Sequence, residues 1–246
     1  MDMKVSIICV YNNIEVYENQ LCLSLANQTI PYELRGIDNT DGKFKSSASA
    51  LNFGVKKAKG NVLIFAHQDI WIKDKVGLEK LACAIENTPA GSIWGVAGAK
   101  ECLKYNLGNY TSGEKLDEKL IKRIGEPMQV SCVDELLFGM LKETYSWHFF
   151  DETICNNWHL YAVEMCLFHR RNGGTVFLCP IEIHHFSQGR ISKEYMDNLR
   201  CLCDEYRDSF KYIWTTCYKV RTNWLYINFL RWAWIFNRMI KRLLTR

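Results

Sequence analysis

At 246 residues and 48% hydrophobic content, the chain is long enough for one large domain or two small ones with a sizeable core. Its net charge of +4 hides an asymmetry: from Lys211 onward there are eight Lys or Arg and no Asp or Glu, so residues 1–210 carry 4 − 8 = −4. Eleven cysteines, odd in number, scattered and without a CxxC pair, argue against a disulfide framework, and the MDMKVSIICV start lacks a basic leader with a cleavage site, so a cytoplasmic protein with reduced thiols is expected.

Lys4 to Val10 (KVSIICV) reads as a first strand, ending in the loop formers Tyr11, Asn12 and Asn13. Leu21, Leu23, Leu25 and Ala26 fit a short helix that stops before Asn27 and Pro31. A second strand, Tyr32 to Ile37, runs into the turn cluster Asp38, Asn39, Thr40, Asp41 and Gly42. A helix is expected over Ser46 to Lys59, with serine caps and Gly60 as its stop. The stretch Asn61 to Ile72 (NVLIFAHQDIWI) then supplies an apolar run suited to a strand buried on both faces, broken by His67, Gln68 and Asp69. Ligands of open α/β sheets gather at the carboxyl ends of strands, so Asp69 is a candidate for holding Mg²⁺ or Mn²⁺ against phosphates. Three strand-loop units separated by helices predict a doubly wound, mainly parallel α/β sheet.

Further on, the periodicity predicts a helix over Lys75 to Asn87 and a strand over Ser92 to Ala99. Residues 101–126 are polar and aperiodic, the pattern of a surface insertion or mobile loop. Met128 to Leu141 reads as strand, interrupted by Asp134 and Glu135. A helix is expected from Asn157 to Arg171, a short strand at Thr175 to Cys179, and a loop around His184 and His185.

The pieces VSIICVYNN, GIDNTDG, SALNFGVKKAKGNVLIFAHQDIWI, WGVAGA, FDETICNNWHLYAVEMCLFHRRNGG and IEIHHFSQG, in that order, resemble the nucleotide-sugar transferases of glycosyltransferase family two, which have the GT-A fold. The nearest likeness is to the subgroup named after a streptomycin-biosynthesis glycosyltransferase, over roughly residues 4–190. The resemblance implies a GT-A domain at 1–190 that moves a sugar from a nucleotide-diphosphate donor to an acceptor hydroxyl with inversion. It is expected to be a hexosyltransferase-type enzyme of polysaccharide biosynthesis that works on a surface glycan or glycolipid. Val10, Tyr11, Asn12, Asp38 and Asn39 fall where the family cradles base and ribose. HQD occupies the usual DxD place, so His67, Gln68 and Asp69 face the diphosphate, with His67 in place of the first carboxylate. A later His is the family's further metal ligand, and His184 or His185 fits; imidazole beside carboxylate suits Mn²⁺ somewhat better than Mg²⁺.

A base must take the acceptor's proton. Where family members carry an acidic pair, this chain has Tyr161 and Ala162; Glu164 is the nearest carboxylate on that helix, and His159 and Asp151 are the alternatives. The alternative function is a catalytically silent nucleotide-sugar- or glycan-binding relative.

Residues 191–246 read as a helical, basic extension, with helices over Ile191 to Phe210 and Tyr218 to Arg246. In the second, Leu225, Phe229, Trp232, Phe236, Met239, Ile240 and Leu243 share one face, and Asn228, Arg231, Arg238, Lys241 and Arg242 another. No stretch reaches the length of a spanning helix, and Trp beside Lys and Arg suits a helix lying on an anionic membrane, here its cytoplasmic face. Packing on the domain or a dimer contact is the competing expectation. No nucleic-acid motif accompanies the basic charge, so nucleic acid is not an expected partner.

Overall fold

The computed structural model describes residues 4–113, 121–187 and 191–244. The chain begins with β1 (Val5–Tyr11), a helical segment made of α1 (Ile14–Val16), a π-helical turn (Tyr17–Cys22) and α2 (Leu23–Ala26), then β2 (Tyr32–Asp38), α3 (Ser47–Val55), β3 (Val62–Ala66), β4 (Ile70–Ile72) and α4 (Gly77–Glu86). There follow β5 (Ser92–Gly95), β6 (Ala97–Ala99), β7 (Asn106–Ser112), β8 (Ile121–Lys122), β9 (Met128–Gln129), β10 (Cys132–Val133) and β11 (Leu137–Leu141). The last part holds α5 (Lys142–Trp147), α6 (Tyr161–Arg171), β12 (Thr175–Leu178), β13 (Glu182–His185), α7 (Lys193–Tyr206), β14 (Tyr212–Trp214), β15 (Lys219–Arg221) and α8 (Trp224–Leu244).

Seven strands form the main sheet in the order β2-β1-β3-β11-β5-β12-β9. β1 pairs in parallel with β2 and β3, and β5 with β12, while β11 and β9 run against their neighbours. Most strands thus share one direction, the mainly parallel α/β sheet expected. Alternation explains why β3 is apolar throughout: Leu63 and Phe65 enter one core cluster, Val62, Ile64 and Ala66 the other, and all five are buried. Phe65 stacks on Phe138 and meets Phe150 edge to face, both with centroids 5.0 Å apart, which ties β3 to β11 and to the segment before α6. α3, α6 and α7 cover the first face, α2 and α4 the second.

The second sheet, β10-β6-β7-β13-β4 with β8 beside β7, departs from the sequence reading. The strand expected at 92–99 is two strands in two sheets: at Val96, whose N–H donates to the Leu137 carbonyl at 3.2 Å, the chain crosses over. The polar stretch 101–126 contributes β7, three of whose residues are buried despite their composition; residues 114–120 lie outside the described residues. The segment 128–141 is three short strands rather than one. The helix expected from Asn157 starts at Tyr161, because Asn157 is spent on Asn198 and the Glu194 carbonyl and Leu160 turns left-handed at φ 67°. The helix expected from Tyr218 starts at Trp224; the chain before it forms the β14–β15 hairpin. α7 inserts Met196, Leu199, Leu202 and Cys203 into the same cluster as α6.

His169 on α6 is fully buried, and among the described residues neither of its ring nitrogens has a hydrogen-bond partner. Burial, helped by the nearby His148, pushes its ring down to about 4. The folded state therefore resists a proton that the unfolded chain accepts near pH 6.5. The stability is complete above that value and is lost as pH falls from about 6.5 to 4, by about 3 kcal/mol. In thermal melts across this range, His169→Phe is expected to flatten the slope; an unchanged slope contradicts the assignment.

Candidate functional site

The carboxyl ends of β1, β2 and β3 open onto a cavity of about 730 Å³. Val10, Tyr11, Asn12, Asn39, His67, Gln68 and Asp69 line it, so most of the residues chosen for the nucleotide cradle come together. Tyr11 stacks on Tyr17 with centroids 4.3 Å apart, and a side chain at Gly36 would strike the Tyr17 hydroxyl, so this glycine leaves room for the stack. Asn39 is held by its side chain against Phe44, accepting at 2.7 Å and donating at 3.2 Å. Gln68 accepts from the N–H groups of Asn12 and Asn13 and donates to the Asn12 side chain at 2.8 Å, stitching the β1 loop to the HQD turn. Asp38 is exposed outside the lining. Its carboxylate accepts from the Thr40 N–H and hydroxyl, which hold it below the usual carboxylate range.

Two registers assemble the charged corner. β11 lies antiparallel to β3, and the His67 N–H donates to the Leu136 carbonyl at 3.0 Å, fixing the start of the HQD turn. β4 leaves the turn and pairs with β13 so that His185 lies opposite Ile70, next to Asp69 in sequence. His185 Nε2 stands 3.3 Å from one Asp69 oxygen and His67 Nδ1 3.9 Å from the other. One donor atom from each of His67, Asp69 and His185 lies within 4.8 Å of the others. His184 takes the other face of β13, its Nδ1 2.6 Å from Thr111 Oγ1, and is not brought to Asp69.

The electrostatics suit a cation. Burial pushes the Asp69 carboxyl up, but the hydrogen bond and charge of His185, with His67, outweigh it and hold Asp69 well below its usual range. Burial lowers His67 against the pull of Asp69, which favours a neutral ring with a lone pair to offer. His67 Nε2 lies 3.2 Å from the Tyr161 hydroxyl, a partner that orients the ring with Nδ1 toward Asp69. Two imidazoles and one carboxylate are a donor set that would fit a divalent transition metal.

The three candidate bases lie apart. Glu164, in the first turn of α6, is buried, bonded to His148 at 2.9 Å and to the Tyr206 hydroxyl at 2.6 Å, and does not line the cavity. Asp151 closes a turn by accepting from Thr153 and Ile154. His159 is half-buried, held by Ser192 at 3.2 Å, and follows Trp158, which lines the cavity. Sequence reasoning missed His67 as a third donor, Tyr161 as its support, and Lys45 and Trp158 on the wall. It also missed Glu135. Burial, then the charge of Asp134, pushes that carboxyl well above its usual range beside the first N–H groups of α6. The signals were there in part: the HQD imidazole and the acidic break after β10 both stand in the chain.

A family model described as a glycosyltransferase-like family matches residues 6–220. Among curated proteins, the chain is 25% identical over 174 residues to "ATP synthase subunits region ORF 6" of Fuscovulum blasticum, covering 68% of each. Among solved structures it is similar to GalNAc-T7 with UDP, GalNAc and Mn²⁺, with a TM-score of 0.60 and 17% identity over 84% of this chain and 49% of that one. It is also similar to TarS of S. aureus, with a TM-score of 0.54 and 14% identity over 82% of this chain and 39% of that one. The chain therefore spans about half or less of these two structures, and at such identities the likeness is one of fold.

Proposed function

Because the chain belongs to this glycosyltransferase-like family and has the GT-A fold, we propose that it is an inverting, hexosyltransferase-type enzyme that uses a UDP-sugar and Mn²⁺ or Mg²⁺. The observation that carries the reading is the His67–Asp69–His185 cluster at the mouth of the nucleotide-sized cavity. A bound cation supplies neutralising charge for the diphosphate leaving group. The chain's own residues do the rest. Tyr11 and Asn39 face the base and ribose, Lys45 adds charge on the phosphate side, and Gln68 keeps the two loops in register. The acceptor hydroxyl attacks the anomeric carbon from the face opposite the departing diphosphate, and its proton passes to a base. His159 is the first choice for that base, on its place beside Trp158; Glu135 comes next, and Glu164 and Asp151 are held by other partners.

The acceptor in this reading is a surface glycan or glycolipid, and the enzyme belongs to polysaccharide biosynthesis in the streptomycin-type subgroup. The catalytic domain is residues 1–190. Residues 191–246 are a basic extension docked through α7, which holds the enzyme peripherally on the cytoplasmic face of an anionic membrane. Among the described residues no helix is long and apolar enough to cross a membrane.

The test is nucleotide release from UDP-, GDP-, CMP- and dTDP-sugars with and without Mn²⁺. Metal-dependent release from UDP-sugars is expected. Metal-dependent UDP binding without release or transfer in the presence of acceptors assigns the chain instead to a silent, nucleotide-sugar-binding role, the outcome that Ala162 in the acidic position would explain.

A further inference from the structure

α8 is docked with its apolar stripe facing outward. Ile227 enters the core, Leu230 and Trp234 pack against it, and Arg231 pairs with Asp197 of α7 at 2.7 Å, so this side of the helix is taken up by the domain. On the opposite side Leu225, Phe229, Trp232, Phe236 and Met239 recur every three or four residues and are between 57% and 71% exposed. A row of that size unpaired with the chain's own core marks a binding surface. The side chains of Arg238, Lys241, Arg242 and Leu243 lie outside the described residues.

At the start of this row lies an open cleft of about 570 Å³. Its walls are the α7–β14 turn and the β15–α8 junction, tied together where the Thr222 hydroxyl donates to the Phe210 carbonyl at 2.7 Å and its N–H to the Lys211 carbonyl at 3.2 Å. Arg207, Lys211 and Arg221 line it with a single acid, Asp208, and among the described residues none of these three cations is in an ion pair. Trp224 belongs to both features: it lines the cleft and stands 55% exposed at the head of the apolar row.

We infer that the cleft binds the phosphate of an anionic lipid while the outer face of α8 lies at the acyl boundary. A second copy of the chain is the poorer occupant. The cleft sets Arg207, Lys211 and Arg221 against Asp208 alone, so two such clefts brought together repel, whereas an anionic leaflet complements them. Depth of insertion is set by the aromatic row and position by the cleft, an arrangement of amphipathic helix plus phosphate contacts that gives stable surface binding. The inference deepens the membrane part of the reading above and is independent of sugar transfer.

Flotation of the full chain, without donor, on phosphatidylcholine vesicles with and without phosphatidylglycerol tests it. Binding is expected only with the anionic lipid and should weaken as salt rises. Combining Arg207→Ala, Lys211→Ala and Arg221→Ala is expected to weaken that binding on the order of a hundredfold at unchanged melting temperature. The same variant should keep its turnover of soluble donor. Phe229→Ser with Trp232→Ser, which leaves the cleft intact, is expected to lose insertion, read as loss of the Trp emission shift on vesicles. Full binding by the triple variant overturns the cleft assignment and leaves the helix placement standing. Absence of binding by the unaltered chain, or self-association through α8 in its place, overturns both.

Discussion

Replacing Asp69 with Asn is expected to lower kcat/KM for metal-dependent donor turnover roughly 10²- to 10³-fold, in a protein that still folds. The substitution keeps the size of the side chain and removes the one carboxylate among the clustered donors. Asp69 stays ionised because His185 and His67 overcome the cost of its burial, and an amide in that place cannot neutralise a cation. The neighbouring histidines sharpen the test. His185→Ala should fall with Asp69→Asn, while His184→Ala should stay near the unaltered rate, since its ring is held by Thr111 on the other face of β13. Equal losses at the two histidines would contradict the site as described.

Glu164→Ala is expected to cost about 3 kcal/mol of stability, or a melting temperature lower by about 6–12 °C. Glu164 is wholly buried, and His148 and the Tyr206 hydroxyl both bond to its carboxylate. Truncation leaves both groups without that partner. His148 is also stacked on Phe168 at 3.8 Å, so it cannot easily swing out to water. Glu164→Gln, which keeps an acceptor for Tyr206, should lose less. The activity readout separates the two roles this residue has been given. Near-normal turnover per folded molecule leaves it a structural group, whereas a Gln variant that melts normally but loses turnover restores it as the base.

The parts of the fold that were legible in the sequence are those where one local rule decides. β3 is apolar at every position and both of its faces are covered, so its run of five buried residues could be recognised without knowing its neighbours. Ser46 caps α3 by accepting from the Ser49 N–H at 3.2 Å, as its position before the helix suggested. What escaped was set by pairing at long range. Val96 changes sheets because β11 and β7 claim different sides of one stretch, and β7 buries Leu107, Gly108 and Asn109 although its sequence, NLGNYTS, is polar. Asn157 looked like a helix start, but its side chain is committed to α7, which lies some forty residues further on. The site divides in the same way. The loops after β1, β2 and β3, which line the cavity, were readable because each begins where a strand pattern gives way to turn-forming residues. The choice between His184 and His185 needed the register of β13 against β4, and the part played by His67 needed Tyr161 behind it. α8 was recognised as two-faced from its spacing, yet only its docking showed that the apolar face is the one turned outward.

The central claim is that the HQD turn and His185 hold a cation against a nucleotide diphosphate. Calorimetric titration of UDP into the protein, with Mn²⁺ and then with chelator, tests it most directly. The expected result is binding that needs the metal and disappears in Asp69→Asn. UDP binding of equal strength with chelator present, or unchanged in that variant, would contradict the account.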